Sequence, residues 1–337
     1  MPSGRVHLSV EEARDLGERA MRGIGYDSEE ARIVSDHVID AALCGYEYSG
    51  LAKLLNIPEH RRFDLSREPI RLLRETEVSA LYDGGNNNGM LALYRVAQAT
   101  IAKAAAHGIA LVGVTNTWMS GRNAYFVEMI ARAGYVAIHT ASSGGAVAPL
   151  GGIKPILGTN PIAFAVPTEE GPLILDMGTS AFMATELQLR VRRNESLPEG
   201  VAIDPEGRPT TDPAAAQAGA LLPFAGYKGF GLGLIVQALG VLGGAGMIEG
   251  AGDGYLFIAF RPDLLIPMEQ CRREVSSLIA RVKAVPRAPG VTEIRIPGEN
   301  SARNRERLNR EGLGIDQLVY DELHRLAGNR EWTNASE

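Results

Sequence analysis

The stretch Cys44–Lys53, CGYEYSGLAK, gathers a carboxylate (Glu47), two phenols (Tyr46 and Tyr48), a hydroxyl (Ser49) and a cation (Lys53) around two glycines. Such a set can hold a small polar ligand, since a lysine offers a point charge to a carboxylate while tyrosine or serine orients or relays a proton. The stretch contains no histidine, no nucleophile beside a base and no metal-ligand spacing. Neither triad chemistry nor a metal centre is therefore implied. A second polar set lies in LILDMGTS, where Asp176, Thr179 and Ser180 follow an apolar run. Hydroxyls and free backbone N–H groups at a helix start can bind pyrophosphate, and the same hydroxyls can equally be ordinary helix caps. In GYKGFG, Tyr227 and Lys228 stand ahead of an apolar segment, where the lysine could meet a phosphate or a carboxamide.

The surrounding sequence indicates what must position these groups. Ser9 and Glu12 form a capping box for a first helix, and a second starts near Asp27 or Ser28 and is stopped by Gly45. EVSALYDGG reads as strand and turn, NNGMLALYRVAQATIAKAAAHG as a helix, and IALVGVTN as a buried strand. GRNAYFVEMIARAG then reads as helix and YVAIHTASS as strand, an alternation that implies an α/β core with functional loops at strand ends. From Gly144 to Asp176 glycine and proline punctuate short strands, and Ser180 onward reads as helix. GFGLGLIVQALGVL reads as a buried helix, GYLFIAF as a strand and VTEIRIPG as another strand between C-terminal helices.

Bulk composition narrows the function classes. The chain has 337 residues, 22% of them charged, and a net charge of −6 without any block of like charge, so neither nucleic acid nor an anionic membrane is an expected partner. Two cysteines, Cys44 and Cys271, do not suggest a disulfide framework. The N-terminus does not read as a signal peptide, and the most apolar stretch, Gly229 to Gly246, is too broken by glycine for a membrane span. A cytoplasmic protein is the expectation. No G-x-G-x-x-G follows a strand, because GFGLGL lacks the third glycine, and no glycine-rich loop ends in Gly-Lys-Ser/Thr.

Six motifs in fixed order say more than any of them alone. They are DGGNNNG (83–89), GGIKPILGTNPIAFAVP (151–167), LILDMGTS (173–180), DPEGRPTTDP (204–213), LLPFAGYKGFGLGL (221–234) and IPGEN (296–300) followed by NREGLGID (309–316). Together they resemble the type-2 malate/L-lactate dehydrogenase family, over about residues 7 to 325. The family includes ureidoglycolate, sulfolactate and malate dehydrogenases, 2,3-diketogulonate reductase and Δ1-piperideine-2-carboxylate reductase. The resemblance implies a non-Rossmann, mixed-sheet α/β fold that binds NADH or NADPH, usually as a homodimer, with a carboxylate-bearing small-molecule substrate. It also implies an N-terminal helical segment (1–75), a second α/β portion (76–115 and 255–337) and a cofactor-binding portion (116–254). Carried over by motif, the cofactor contacts are Ser143, Asp176, Met177, Gly178, Thr179, Ser180, Tyr227, Lys228, Gly298 and Glu299.

The departures from the family pattern concern the substrate. Relatives carry a loop of the form G-x-D-S-H-G-x-x-R, whose histidine exchanges the proton and whose arginine holds the carboxylate. In register, Glu47 keeps the acid, Tyr48 and Ser49 replace serine and histidine, and Lys53 replaces arginine. A second family histidine, in N-S-x-H-x-G, is replaced by Met119 beside Trp118, which suits a more apolar pocket. Hydride transfer to a ketone builds alkoxide charge that needs an acid, and losing one costs about 10²–10⁴-fold in rate. The expected activity is reduction of a C=N or C=O bond beside a carboxylate, with Tyr48, Ser49 and Asp176 as the catalytic set. Glu47, Lys53, Trp118 and Met119 are the substrate-binding set. A tyrosine, with an ordinary pKa of about 10, would need a cation such as Lys53 or Lys228 beside it to act as the acid. The other reading is a family member that has lost redox activity and binds a ligand or catalyses a non-redox step. A further departure is the short connection between LGVLGGAG and YLFIAF.

Overall fold

The computed structural model describes residues 4–248 and 252–328. The chain opens with β1 (Arg5–Leu8), α1 (Val10–Gly23) and α2 (Ser28–Leu43), then two turns of 3-10 helix at Glu47–Ser49 and Leu51–Asn56. β2 (Arg71–Glu75), β3 (Ser79–Asn88), α3 (Gly89–His107), β4 (Ile109–Trp118), α4 (Asn123–Arg132) and β5 (Val136–Ser142) follow. The middle holds β6 (Ile162–Val166), β7 (Leu173–Met177), α5 (Ala184–Arg193), β8 (Ala202–Ile203), α6 (Pro213–Ala218), β9 (Ala220–Leu221) and α7 (Tyr227–Leu242). The chain finishes with β10 (Gly254–Phe260), α8 (Met268–Lys283), α9 (Glu299–Glu311), β11 (Leu313–Asp316) and α10 (Gln317–Gly328).

One mixed sheet of seven strands, in the order β2-β3-β4-β10-β5-β6-β7, organises these elements. Only β3 and β4 run parallel, joined by α3, and every other neighbouring pair is antiparallel. The resulting α/β architecture is the mixed sheet expected. Leu93, Val96 and Ala97 of α3 and Phe126, Val127 and Ile130 of α4 bury against Val112, Val114 and Phe257 of the sheet. A separate core joins α1, α2 and α10 to the 3-10 turns through Leu16, Met21, Ile33, Leu54, Val319 and Leu323. This helical unit carries the loop Cys44–Lys53 to the sheet.

Four local expectations require correction. DGGNNN is not a turn but the end of β3. A register shift between Asp83 and Asn87 absorbs the positive φ of Gly85 and Asn86, and Asn86 Nδ2 donates to the carbonyls of Arg62 (3.1 Å) and Leu65 (3.0 Å). VTEIRIPG forms no strand, and the helix expected from Ser180 begins only at Ala184. The apolar helix α7 is not buried all round. Gly229, Gly233, Val236 and Gly240 form the stripe that meets the sheet, where a Cβ at Gly233 would stand 2.9 Å from Thr179 Oγ1. The glycines let the helix backbone approach closely, so Leu234, Ile235, Val241 and Leu242 point outward and are 50–65% exposed. The short connection before β10 includes residues 249–251, which lie outside the described residues.

Candidate active site

The first wall of the site follows from how α2 ends. Gly45, at φ +91°, turns the chain, and a Cβ there would meet Asn304 Nδ2 at 2.5 Å. At Gly50 a Cβ would stand 2.9 Å from Ala42 Cβ, so glycine lets the 3-10 turns fold back onto α2. Between the two glycines, Tyr46, Tyr48 and Ser49 line one cavity and Glu47 another. Tyr46 accepts from Ser301 Oγ (3.3 Å) and meets Tyr48 edge-on at 6.1 Å, while Ser49 is buried.

The second wall is the loop from Met119 to Ala124, between β4 and α4. Gly121 has φ +80°, and the backbone N–H of Arg122 donates to Nε2 of the buried His37 at 2.8 Å. Arg122 occupies the N-cap of α4 without capping it; instead Asp176, from the end of β7, reaches across and accepts from Ala124 N at 2.7 Å. The Arg122 guanidinium donates to Asp40 at 2.7 Å and lies 5.6 Å from the centre of the Tyr46 ring.

These walls enclose a cavity of about 280 Å³ lined by Tyr46, Tyr48, Ser49, Gly121–Asn123, Asp176–Gly178 and, from the C-terminal region, Gly298 and Ser301, among others. A neighbouring cavity of about 290 Å³ shares Arg122, Pro297, Gly298 and Ser301 with it. Of the residues expected from sequence, Tyr48, Ser49, Asp176, Met177, Gly178 and Gly298 thus come together.

The others lie elsewhere. Glu47 pairs with Arg5 (3.0 Å) and Arg193 (2.6 Å) and lines a different cavity. Lys53 is buried with its ammonium donating to Thr185 Oγ1 at 3.2 Å, and it does not line the cavity. Trp118 is core, stacked on His60 at 4.3 Å, with its indole N–H on the Asn86 carbonyl. Met119 packs at the edge of the helical core. Thr179 donates to the Thr159 carbonyl and Ser180 to that of Phe182, while the backbone N–H of Ser143 is held by Asn160. Glu299 pairs with Lys283 and accepts from Ile296 N, closing the first turn of α9. Tyr227 and Lys228 are exposed on the first turn of α7.

Sequence reasoning missed Arg122, Asn123, Ser301 and the supporting His37. One signal was available: an arginine directly before a helix is a poor N-cap, so something other than capping holds it there.

Burial governs the titration of the site. The Tyr48 phenol is pushed up by burial, and the charges of Glu186 and Asp176 push in the same direction. Neither lysine expected beside it is there, since Lys53 bonds elsewhere and Lys228 does not line the cavity; the cation whose charge draws the Tyr48 phenol down, against burial, is Arg122. Burial also raises the Asp176 carboxyl, against the backbone N–H bonds it accepts and the charge of Arg122. Burial holds the Lys53 ammonium down to about 8 and keeps His37 neutral. His139 is core, stacked on Phe257 at 3.9 Å.

Gly121, Gly178 and Gly298 contribute backbone to the cavity lining, a surface on which a planar ring such as nicotinamide can lie. Among the described residues no cluster of three His, Cys, Asp or Glu could hold a metal, and no helix is long and apolar enough to cross a membrane.

Comparison with known proteins agrees with this architecture. A sequence model of the malate/L-lactate dehydrogenase family matches residues 8–324. The malate/(S)-sulfolactate dehydrogenase of Methanothermus fervidus is 31% identical over 333 residues, covering 95% of this chain and 97% of that protein. A dehydrogenase from Sinorhizobium meliloti superposes with a TM-score of 0.88 at 26% identity, covering 96% of this chain and 99% of that one. The Δ1-piperideine-2-carboxylate reductase of Pseudomonas syringae pv. tomato superposes with a TM-score of 0.80 at 27% identity, covering 95% and 99%. With its mixed seven-stranded sheet and this match across nearly its whole length, the chain belongs to the malate/L-lactate dehydrogenase family and is a nicotinamide-dependent oxidoreductase.

Proposed function

We propose that the protein reduces a C=N or C=O bond adjacent to a carboxylate, in the cavity between the Tyr46–Ser49 loop and the start of α4. The observation that carries this reading is the make-up of that cavity. One enclosed carboxyl, Asp176, faces hydroxyls, phenols and one guanidinium, with no histidine among the lining residues. The bound cofactor, NADH or NADPH, supplies the hydride. Met177, Gly178 and Gly298 would hold it at the cavity, with Ser143, Thr179, Ser180, Tyr227, Lys228 and Glu299 assigned to it by family pattern alone, within the 116–254 portion and the α9 start.

Asp176 is the group suited to the proton. Its raised pKa keeps a larger fraction protonated near neutrality than an ordinary carboxyl, so it can donate to a developing alkoxide. Tyr48 and Ser49, neutral, orient the substrate. A protonated imine already carries the charge that hydride neutralises, so it demands less of Asp176. The structural likeness to a Δ1-piperideine-2-carboxylate reductase favours that substrate class.

The test is NADH and NADPH oxidation against a panel of 2-oxo acids and cyclic 2-imino acids. Turnover is expected with at least one member. Cofactor binding without turnover of any member would favour a family member that has lost redox chemistry.

We infer, too, that the protein is a cytoplasmic homodimer joined through the outer face of α7. Leu234, Ile235, Val241 and Leu242 make an apolar face that a single chain leaves uncovered. Ile235→Glu should shift the mass measured by light scattering from two chains to one. A monomeric wild type would sink this assignment.

A further inference from the structure

Among the described residues, Arg122 is the only cation lining the cavity and Asp176 the only acid. Behind Arg122 stands an unbalanced charge cluster. Asp40 pairs with both Arg122 (2.7 Å) and Arg305 (2.8 Å), and Glu128 pairs with Arg305 (2.8 Å) and Arg132 (2.6 Å). Three guanidinium groups thus share these two carboxylates, and the other carboxyl that feels the Arg122 charge, Asp176, is pushed by burial towards its neutral form, so the cavity-facing member of the cluster, Arg122, is short of negative charge. Beside it Asn123 is 1% exposed, and neither its Nδ2 nor its Oδ1 has a hydrogen-bond partner. A buried polar group without a partner costs roughly 1–3 kcal/mol, so an amide with both ends unmet is a costly feature unless a ligand meets it.

The pair is also held rigidly. Arg122 N is fixed by His37, Ala124 N by Asp176, and Gly121 packs so tightly against Met90 that a Cβ would come within 2.9 Å of its Cγ. Groups fixed before the ligand arrives lose little entropy on binding it. Lys53, the cation expected from the family pattern, forms no ion pair among the described residues and does not line the cavity.

Resting on the oxidoreductase reading above, we propose that Arg122 and Asn123, rather than Lys53, hold the substrate carboxylate. The free guanidinium N–H groups and Asn123 Nδ2 donate to the two carboxylate oxygens, which makes charge-assisted bonds on a planar anion. Asn123 Oδ1 accepts from a neighbouring O–H or N–H, which a 2-hydroxy acid or a protonated cyclic imine presents and a 2-oxo acid lacks. The ligand class is a small 2-substituted carboxylic acid.

The test is calorimetric binding of oxamate, a 2-oxo acid mimic, and of pyrrole-2-carboxylate, a planar cyclic imino acid mimic. Both are titrated into the protein saturated with NADH. Asn123→Leu should weaken the better ligand by about 10–100-fold, the scale of one or two lost hydrogen bonds in a buried site. Its NADH affinity should be unchanged and its melting temperature equal or higher, because the substitution removes two unmet polar atoms. Arg122→Gln should weaken binding further, and Asn123→Leu keeps the proposal testable should that variant fold poorly. Lys53→Met should stay within about threefold of wild type. Equal losses in Lys53→Met and Asn123→Leu would overturn the proposal, as would a destabilised Asn123→Leu with unchanged affinity. NADH binding with neither acid bound would overturn it too. Failure to bind NADH or NADPH at all would instead strike the oxidoreductase reading itself.

Discussion

Two loops meet in the fold, Cys44–Lys53 and Met119–Ala124, and they carry their chemistry in opposite ways. The first displays a carboxylate, two phenols, a hydroxyl and a lysine, yet its two charged groups turn away. Glu47 ties β1 to α5 through Arg5 and Arg193, and Lys53 is buried against Thr185. The second reads as little more than a strand-to-helix connection, yet it brings Arg122 and Asn123 to the cavity. The difference lies in direction. In the 3-10 turns successive side chains diverge around a tight backbone, so two of them face the cavity while the charged ones are drawn to partners on other elements. In the second loop, Gly121 and the His37 contact fix one backbone conformation, and both Arg122 and Asn123 become part of the cavity wall.

The severest way to break this contrast is at the carboxyl that anchors the second loop. Asp176→Asn should lower the reduction rate by about 10²–10⁴-fold, the usual cost of a lost general acid. The amide oxygen can still accept from Ala124 N, so the melting temperature should change little. Because reduction needs the protonated carboxyl, the wild-type rate should fall as pH rises through the elevated Asp176 pKa, and the variant should lack that limb. A variant with full activity would remove Asp176 from the chemistry.

Lys53 offers the next largest effect, on stability. Burial lowers its ammonium from 10.5 to about 8. Between those values the unfolded chain binds more protons than the folded one, so stability rises as pH rises through that window. The depression corresponds to a penalty of about 3 kcal/mol carried at pH 7. Lys53→Met should therefore raise the urea midpoint at pH 7 and flatten the rise between pH 8 and 10. An unchanged pH profile would mean that Lys53 has a counter-charge and that the contrast between the loops is smaller than drawn.

The smallest effect should come from the hinge of the first loop. Gly50→Ala places a methyl 2.9 Å from Ala42 Cβ and 3.2 Å from the Glu47 carbonyl. It should cost about 1–3 kcal/mol by overpacking and raise KM by displacing Tyr48 and Ser49, with little change in NADH affinity. Equal damage to cofactor binding would show that the two loops do not divide the site as described.

Much of the frame was legible in the chain. The capping box at Ser9, the helix start near Asp27, the stop at Gly45, the strands β4, β5 and β10 and the ordered motifs follow from local rules and from family likeness. So did part of the cavity, since Tyr48, Ser49, Asp176, Met177, Gly178 and Gly298 converge. α7 misled because an apolar sequence with periodic glycine reads as core, whereas glycines bury by close approach and leave the large side chains outside. Arg122 and Asn123 escaped notice because the one local mark, an arginine in a poor N-cap position, does not say what holds it there. Their importance arises from Asp40, His37 and Asp176, which are 82, 85 and 52 residues away from their partners in this loop.

By itself, then, the sequence determined the class of protein, the order of its elements and the backbone positions that only glycine can fill, because these rest on interactions between near neighbours and on sterics. Only the tertiary structure decided which cation faces the cavity. That choice depends on which charges and hydrogen-bond partners distant segments deliver to the same few ångströms. Lys53 found a hydroxyl in the interior, and Arg122 found an acid behind it and a cavity in front.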